Sequence, residues 1–383
     1  MPRADRRIVL FGTCLLACLA TARGDEGPGA SPEKIDVFVS GTGGYHTYRI
    51  PALVLTNRGT LLAFCEGRKT GRGDHGDIDL LLRRSRDGGR TWGPTQLVYE
   101  EGGTARITCG NPCAVVDRTT GAVLLTFCRD NDRVLVTQSD DDGRTWNKPA
   151  DLTSACKRAD WQWYATGPGH GIQLRRGPHK GRLIVPCNHS DIGKKRCWSH
   201  VIYSDDHGKT WKLGGTVPDP QTSEAEVVEL TDGTLLMNIR NWPPTPAHRR
   251  AVSLSTDGGL TWSRPYHDQA LVTPHCQGSI VRYTAQPRFA RNRILFSNPA
   301  STKDRMRMTV RLSYDEGKTW LAGKLIHPGP SAYSCLAVLP DTSVVCLYEG
   351  GRRHRREGLT LARFTLEWLT DGADRLTPKH SRD

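Results

Sequence analysis

The chain has 383 residues, a formal net charge of +13, 40 glycines and only 4 methionines, a length that accommodates one large all-β domain or two ordinary ones. Gly, Asp, Asn, Ser and Thr punctuate short apolar runs throughout, which is the composition of a turn-rich β protein and excludes a coiled coil or a bundle of membrane helices. Basic residues cluster only at HRR (248–250) and RRHRR (352–356); with no helix-turn-helix, zinc-finger or RNA-binding signature beside them, the charge suits an anionic substrate or surface and argues for no nucleic-acid partner.

In chain order, the first segment, MPRADRRIVLFGTCLLACLATARG, combines an Arg-bearing start, an apolar run from Ile8 to Ala20 and a small-residue exit at Ala20-Thr21-Ala22. It reads as a secretory signal peptide over residues 1–22, implying a secreted or periplasmic protein, or a lysosomal one in a eukaryote. A competing reading takes LLAC (15–18) as a lipobox, with the signal ending before a lipid-anchored Cys18. No later apolar run approaches the roughly 18–20 residues that span a bilayer. Ten cysteines follow the signal. Export permits disulfides, and Cys109–Cys128 and Cys187–Cys197 are the candidate local staples. The cysteines in LLAFCEG and VVCLYEG read instead as buried small apolar positions. The step from Cys109 to Cys113 has no downstream Cys/His pair, and no ligand cluster calls for a metal or another cofactor.

The pattern S-x-D-x-G-x-T-W occurs five times, as SRDGGRTW (85–92), SDDDGRTW (139–146), SDDHGKTW (204–211), STDGGLTW (255–262) and SYDEGKTW (313–320). Its aspartates, Asp87, Asp141, Asp206, Asp257 and Asp315, recur every 51 to 65 residues. Each box follows a strand-like run such as IDLLLRRS or MTVRLS and precedes another extended segment, so it is a hairpin turn. Gly supplies a positive φ, the Asp carboxylate accepts backbone N–H groups, and the Trp folds back to bury its ring. The period with several short strands per unit predicts an all-β, six-bladed β-propeller of four-stranded antiparallel blades. Five units end near Trp92, Trp146, Trp211, Trp262 and Trp320, and a sixth runs from about Pro328 through LTLARFTLEWL (359–369). IDVFVSG (35–41) is expected to pair with the last unit and close the ring. The result is a single domain over 35–371 with a short tail at 372–383. A reaction centre needs one set of groups, so five identical aspartates are structural.

YRIPALV (48–54) sets Arg49 before an Ile-Pro that enters a strand. An Arg-Ile-Pro motif followed by several Asp boxes resembles the exo-α-sialidases (neuraminidases) of bacterial and lysosomal type, over roughly Asp36 to Leu369. The resemblance implies removal of terminal α-linked sialic acids from glycoproteins, glycolipids and oligosaccharides, with anomeric configuration retained. Sialic acid carries a carboxylate on its anomeric carbon, and the planar fork of Arg suits that group. The family's three arginines map onto Arg49, onto Arg240 in GTLLMNIRN, and onto Arg305, with Arg307 and Arg311 as rivals for the third place. An anionic nucleophile is poorly suited to a carbon flanked by negative charge, and sialidases use Tyr. Tyr333 in GPSAYSCLAVL matches that residue, and Glu224 in SEAEVVELTDG matches the base that a phenol near pKa 10 requires. Glu226, which a period of two puts on the same strand face, and Glu229 are alternatives.

Asp74, in the Gly-rich EGRKTGRGDHGDIDLLLRRS, matches the acid for the leaving oxygen, with Asp77 as a turn residue and Asp79 lining the pocket. Arg68 matches a further pocket arginine, and Glu349 in CLYEGG a brace for the first. DWQWYATGPGHGIQL (160–174) resembles the family's rim, with Trp161, Trp163 and Tyr164 as candidates, and CQGSIVRY (276–283) adds Gln277. A trans-sialidase, hydrolytic or intramolecular, would carry the same residues. A non-catalytic Asp-box propeller would lack Tyr333, Glu224 or Asp74, and an endoglucanase would show paired acids without the arginines.

Overall fold

The computed structural model describes residues 31–193, 196–242 and 248–376. The signal segment with Cys18, and residues 377–383 of the tail, lie outside the described residues. The elements are strands apart from two four-residue helices, Thr153–Cys156 and Leu366–Leu369, and no described helix is long and apolar enough to cross a membrane.

The strands build a β-propeller from five hydrogen-bonded sheets. The first blade orders Thr47–Leu55, Leu61–Arg68, Ile78–Ser85 and Gln96–Tyr99, and another orders Thr222–Glu229, Leu235–Asn241, Arg249–Ser255 and Tyr266–Val272. Two blades between them hold five strands each. Gly169–His170 pairs in parallel with Cys109–Val116, while Ile172–Gln173 pairs with Leu183–Asp191, so one short segment stitches neighbouring blades. The last sheet has seven strands, because Lys324–Val338 pairs with Met306–Ser313 through its first half and with Val344–Gly350 through its second. Uniform four-stranded blades are therefore not what the ladders show: four blades stand separately and one long strand fuses the rest. Glu33–Val39 pairs antiparallel with Gly358–Phe364 at the end of that sheet, joining the first strand to the last as expected.

The core lies between the faces of successive sheets, as alternating side chains dictate. Leu62, Phe64 and Leu82 of the first blade meet Val123, Leu125 and Phe127 of the next, with Trp146 against them. Phe64 is fully buried, so Phe64→Ala is expected to cost about 3–5 kcal/mol.

The five boxes share one bonding pattern. In the first, Ser85 Oγ donates to Asp87 Oδ1 (2.7 Å), Gly89 N donates to Ser85 Oγ (2.8 Å), and Thr91 N and Oγ1 donate to the Asp87 carboxylate (2.9 and 2.6 Å). Asp141, Asp206, Asp257 and Asp315 repeat this. These bonds outweigh the opposing effect of burial and pull the Asp87 and Asp206 carboxyls down to about 2.

One expectation is corrected. All ten described cysteines are buried free thiols, Cys109, Cys128, Cys187 and Cys197 included. Across their strands Cys187 faces His200 and Cys197 faces Ser190, so neither stands opposite the other. Within the tail, Asp374 accepts Arg293 Nε and Nη2 (both 2.8 Å) and Tyr314 Oη (2.6 Å), which anchors the chain beyond residue 372.

Candidate active site

Strands Thr47–Leu55, Thr222–Glu229 and Lys324–Val338 deliver Arg49, Glu224 and Tyr333 to a cleft of about 800 Å³, which Arg68 and Arg240 on the next strands and Asp74 and Arg305 in loops complete. Several of these strands are bulged where they feed it. The ladders skip at Arg49/Ala52, Gly110/Cys113, Thr222/Ala225 and Ser331/Ser334. A bulge breaks the in–out alternation and re-aims a side chain. Ile50 lies in the left-handed region, φ 59°, which a β-branched residue adopts only under constraint. The constraint is Glu349, whose Oε1 accepts Ile50 N and Arg49 Nε, both at 3.0 Å. Glu349 is fully buried and Arg49 nearly so; the carboxylate thus braces the arginine and the turn that aims it.

Tyr333 Oη donates to Glu224 Oε1, and Arg240 Nη1 bonds both Glu224 Oε2 (2.6 Å) and Tyr333 Oη (3.1 Å). The guanidinium carbons of Arg49 and Arg305 stand 5.2 and 5.6 Å from the centre of the Tyr333 ring. Burial, with Glu224 beside it, pushes the phenol up against the pull of Arg240, Arg305 and Arg49. The phenol is therefore protonated at rest and hydrogen-bonded to Glu224. Among the described residues Arg240 Nε is buried with no hydrogen-bond partner, and Arg305 Nη2 reaches only the His275 carbonyl, at 3.3 Å. The cleft thus holds spare N–H donors around the hydrogen-bonded pair Tyr333–Glu224. Seven arginines line it against three carboxylates, which makes it an anion site.

Among the rivals for the third arginine, Arg305 is in the cleft. Arg307 is exposed at a bulge with φ 63°, and Arg311 turns away to Asn298 Oδ1 (3.4 Å). Glu224 rather than its neighbours meets Tyr333. Glu226 lies deeper, accepting Ser279 Oγ (2.7 Å) and Ile280 N (2.9 Å), and Glu229 accepts the Arg175 and Arg176 amides. His170, Glu226 and Cys335 form a buried trio of metal-ligating types. Its closest contact is His170 Nδ1 to Glu226 Oε2 at 3.4 Å, and Glu226 raises the His170 imidazole against the lowering effect of burial.

Three expected contact residues stand behind the cleft instead of in it. Asp79 accepts Tyr45 Oη (2.7 Å) and pairs with Lys69, because it opens a strand below the loop that carries Asp74. Tyr164 is fully buried with its Oη on His200 Nε2 (3.0 Å). Gln277 clasps the Ser334 backbone, accepting its N–H (3.0 Å) and donating to its carbonyl (2.9 Å), which positions the neighbouring Tyr333. Of the rim tryptophans, Trp163 lines the cleft, whereas Trp161 stacks on His189 at 3.4 Å between ring centres. Asp77 pairs with Lys69 at 3.0 Å.

The residues that sequence reasoning missed are Glu66, Asn111, Trp242 and the pair Arg355–Arg356. Glu66 accepts Arg68 Nε (3.0 Å) and the Asn111 amide (2.9 Å); its place two residues before Arg68 in a strand was the available signal. Arg355 and Arg356 stood in view only as charge. A second cavity of about 410 Å³ has His170 and Arg118 among its lining, which contains neither Tyr333 nor Glu224.

Residues 59–346 match the BNR repeat-like domain. The chain is 37% identical to a sialidase of Micromonospora viridifaciens over 89% of its own length and 55% of that protein's, so it spans about half of that relative. It is 31% identical to an exo-alpha-sialidase of Arthroderma benhamiae, covering 89% of this chain and 88% of the other. The structure of the Hadza microbial sialidase Hz136 superposes with a TM-score of 0.80 at 29% identity, over 88% of this chain and 69% of that one. The bulged inner strands, the arginine cradle and these similarities agree, and the chain belongs to the sialidase family of BNR-repeat proteins.

Proposed function

We propose that the protein is an exo-α-sialidase that hydrolyses terminal α-linked sialic acids with retention of configuration, after export across a membrane. The observation that carries this reading is the hydrogen-bonded set Tyr333–Glu224–Arg240 enclosed by Arg49 and Arg305. Arg49, Arg240 and Arg305 bind the carboxylate next to the anomeric carbon. Glu224 takes the phenolic proton as Tyr333 Oη bonds to that carbon. The glycosidic C–O bond breaks, and its oxygen takes the proton of Asp74. Asp74 then accepts a proton from water, whose oxygen displaces Tyr333, and Glu224 returns the phenolic proton. Hydrolysis is favoured over non-catalytic sugar binding because nucleophile, base and acid are all at the cleft. In the same reading the seven-stranded sheet counts as two four-stranded units sharing Lys324–Val338, which supports a six-bladed ring.

The test is release of a fluorescent phenol from its α-sialoside, with proton NMR of the sugar first released. Wild type is expected to turn over and to give the α anomer first, and Tyr333→Phe to lose at least about 10²-fold in kcat. A folded but inert wild type, or an unaffected Tyr333→Phe, overturns the reading.

A further inference from the structure

The loop 351–357, GRRHRRE, joins Val344–Gly350 to Gly358–Phe364 and starts two residues after the Arg49 brace, Glu349. Its one acidic side chain is committed internally. Glu357 accepts the amides of Arg352 (2.9 Å), Arg353 (2.8 Å) and His354 (2.7 Å), which closes the loop as a turn. Arg355 and Arg356 are thereby presented to the cleft. The Nε of each is buried and has no hydrogen-bond partner among the described residues.

Their position relative to the chemistry follows from Asp74. Arg356 stands near enough to Asp74 to add to the depression of its carboxyl, after Arg49 and Arg68. Asp74 is the group assigned to the leaving oxygen, and Arg355 and Arg356 line the same cleft as Asp74 and His75, within reach of what leaves. The sialic acid carboxylate is already answered by three other arginines. The two further guanidiniums are not used by that carboxylate, and at Arg356 burial and the repulsion of Arg49 and Arg355 outweigh the attraction of Glu349 and Asp74. A second anion there would offset that repulsion and supply the missing hydrogen-bond acceptors.

We propose that Arg355 and Arg356 form a subsite for a second anionic group, carried by the leaving portion of the substrate: the carboxylate of an internal sialyl residue, or a sulfate ester on the penultimate sugar. This deepens the sialidase reading and rests on it. The preferred substrates are accordingly dianionic glycans, α2,8-linked sialyl chains or sulfated sialosides.

The experiment compares kcat/KM for α2,3-sialyllactose, an α2,8-disialyl-lactose and a sialyllactose sulfated on its galactose, with wild type and the Arg355→Gln/Arg356→Gln variant. Wild type is expected to favour at least one dianionic substrate by about tenfold, the worth of one charge-assisted hydrogen bond. That ratio should fall towards unity in the double variant, chiefly through KM. It should also fall as salt is raised from tens to hundreds of millimolar, since exposed charges are screened. Whichever dianion wins identifies the source of the charge. Arg355→Lys/Arg356→Lys keeps the charge and should keep part of the preference, which separates binding from loop disruption. A wild type without preference, or a ratio unchanged in the Gln variant, overturns this inference while the sialidase reading stands. Turnover of none of the three overturns both.

Discussion

Asp74 Oδ1 lies 2.8 Å from Arg49 Nη1 and 2.7 Å from Arg68 Nη1, so the side chain assigned as the acid rests on the arginine assigned to the substrate carboxylate. Burial alone would raise its carboxyl, but Arg49 and Arg68 outweigh burial and hold it below the usual range. In the free protein Asp74 is therefore ionised near neutral pH. A substrate carboxylate on Arg49 offsets that positive charge, and the Asp74 carboxyl must then rise. Activity that needs the protonated acid falls as pH climbs through its pKa. The basic limb of kcat/KM, which reports the free enzyme, is expected at lower pH than the basic limb of kcat, which reports the complex. Both profiles on one natural sialoside decide this; coincident limbs would mean that Arg49 does not set the Asp74 proton.

The same assignment predicts a dependence on the leaving group. An alkoxide must be protonated as it departs, whereas a phenolate of low pKa leaves unaided. Asp74→Asn should lose about 10²–10⁴-fold on sialyllactose and far less on an aryl α-sialoside. Equal losses on both substrates would move Asp74 from proton donor to a purely structural place beside Arg68.

Glu349 is a positioning residue, since it touches Arg49 and Ile50 and does not line the cleft. Its removal leaves a buried guanidinium unpaired and frees a strained turn, and breaking such a pair costs about 3–5 kcal/mol. Glu349→Ala should lower the unfolding free energy by about that amount in denaturant titration. In the fraction that remains folded it should raise KM more than it lowers kcat. Glu349→Gln keeps an acceptor for the Ile50 amide and should recover part of both. A change in kcat alone would contradict the bracing role.

The Asp boxes predict the opposite combination. Asp206 accepts Ser204 Oγ (2.8 Å), Thr210 N (2.9 Å) and Thr210 Oγ1 (2.6 Å) and does not line the cleft. Asp206→Ala should cost about 1–3 kcal/mol of stability and leave kcat per folded molecule unchanged. Because the carboxyl is depressed to about 2 in the fold, against about 3.9 unfolded, its contribution is present above pH 4. It is lost as pH falls through about 2. The difference between wild type and variant in thermal midpoint should therefore shrink over that acid window, and a constant difference would place the effect outside the carboxylate.

Much of the fold was legible because it is written locally. The box Ser85–Trp92 closes on itself within eight residues, so its turn and the strands on either side can be read at each copy. The pairing of Glu33–Val39 with Gly358–Phe364 also followed, since a ring of blades must close. The fused seven-stranded sheet did not, because nothing in Lys324–Val338 marks where one ladder hands over to the next.

The site divides along the same line. Arg49, Arg240, Glu224, Tyr333 and Asp74 could be named from their motifs, each a short string that resembles a known one. Tyr164, Gln277 and Asp79 were misplaced, because alternation along a strand tells which face a side chain takes and not whether that face meets the cleft or the neighbouring blade. Arg305 stood unresolved against Arg307 and Arg311 for a related reason. The bulge at Met306/Met308 and the positive φ of Arg307 decide which of them turns inward. What the chain determined by itself were the turns, the repeat and the chemical types, all set by neighbours within a few residues. The tertiary structure alone decided the cradle of Arg49, Arg240 and Arg305 around Tyr333, the bracing Glu349 and the arginines of the 351–357 loop. Those contacts join residues as much as 300 apart, and bulges rather than sequence periodicity aim the side chains that make them.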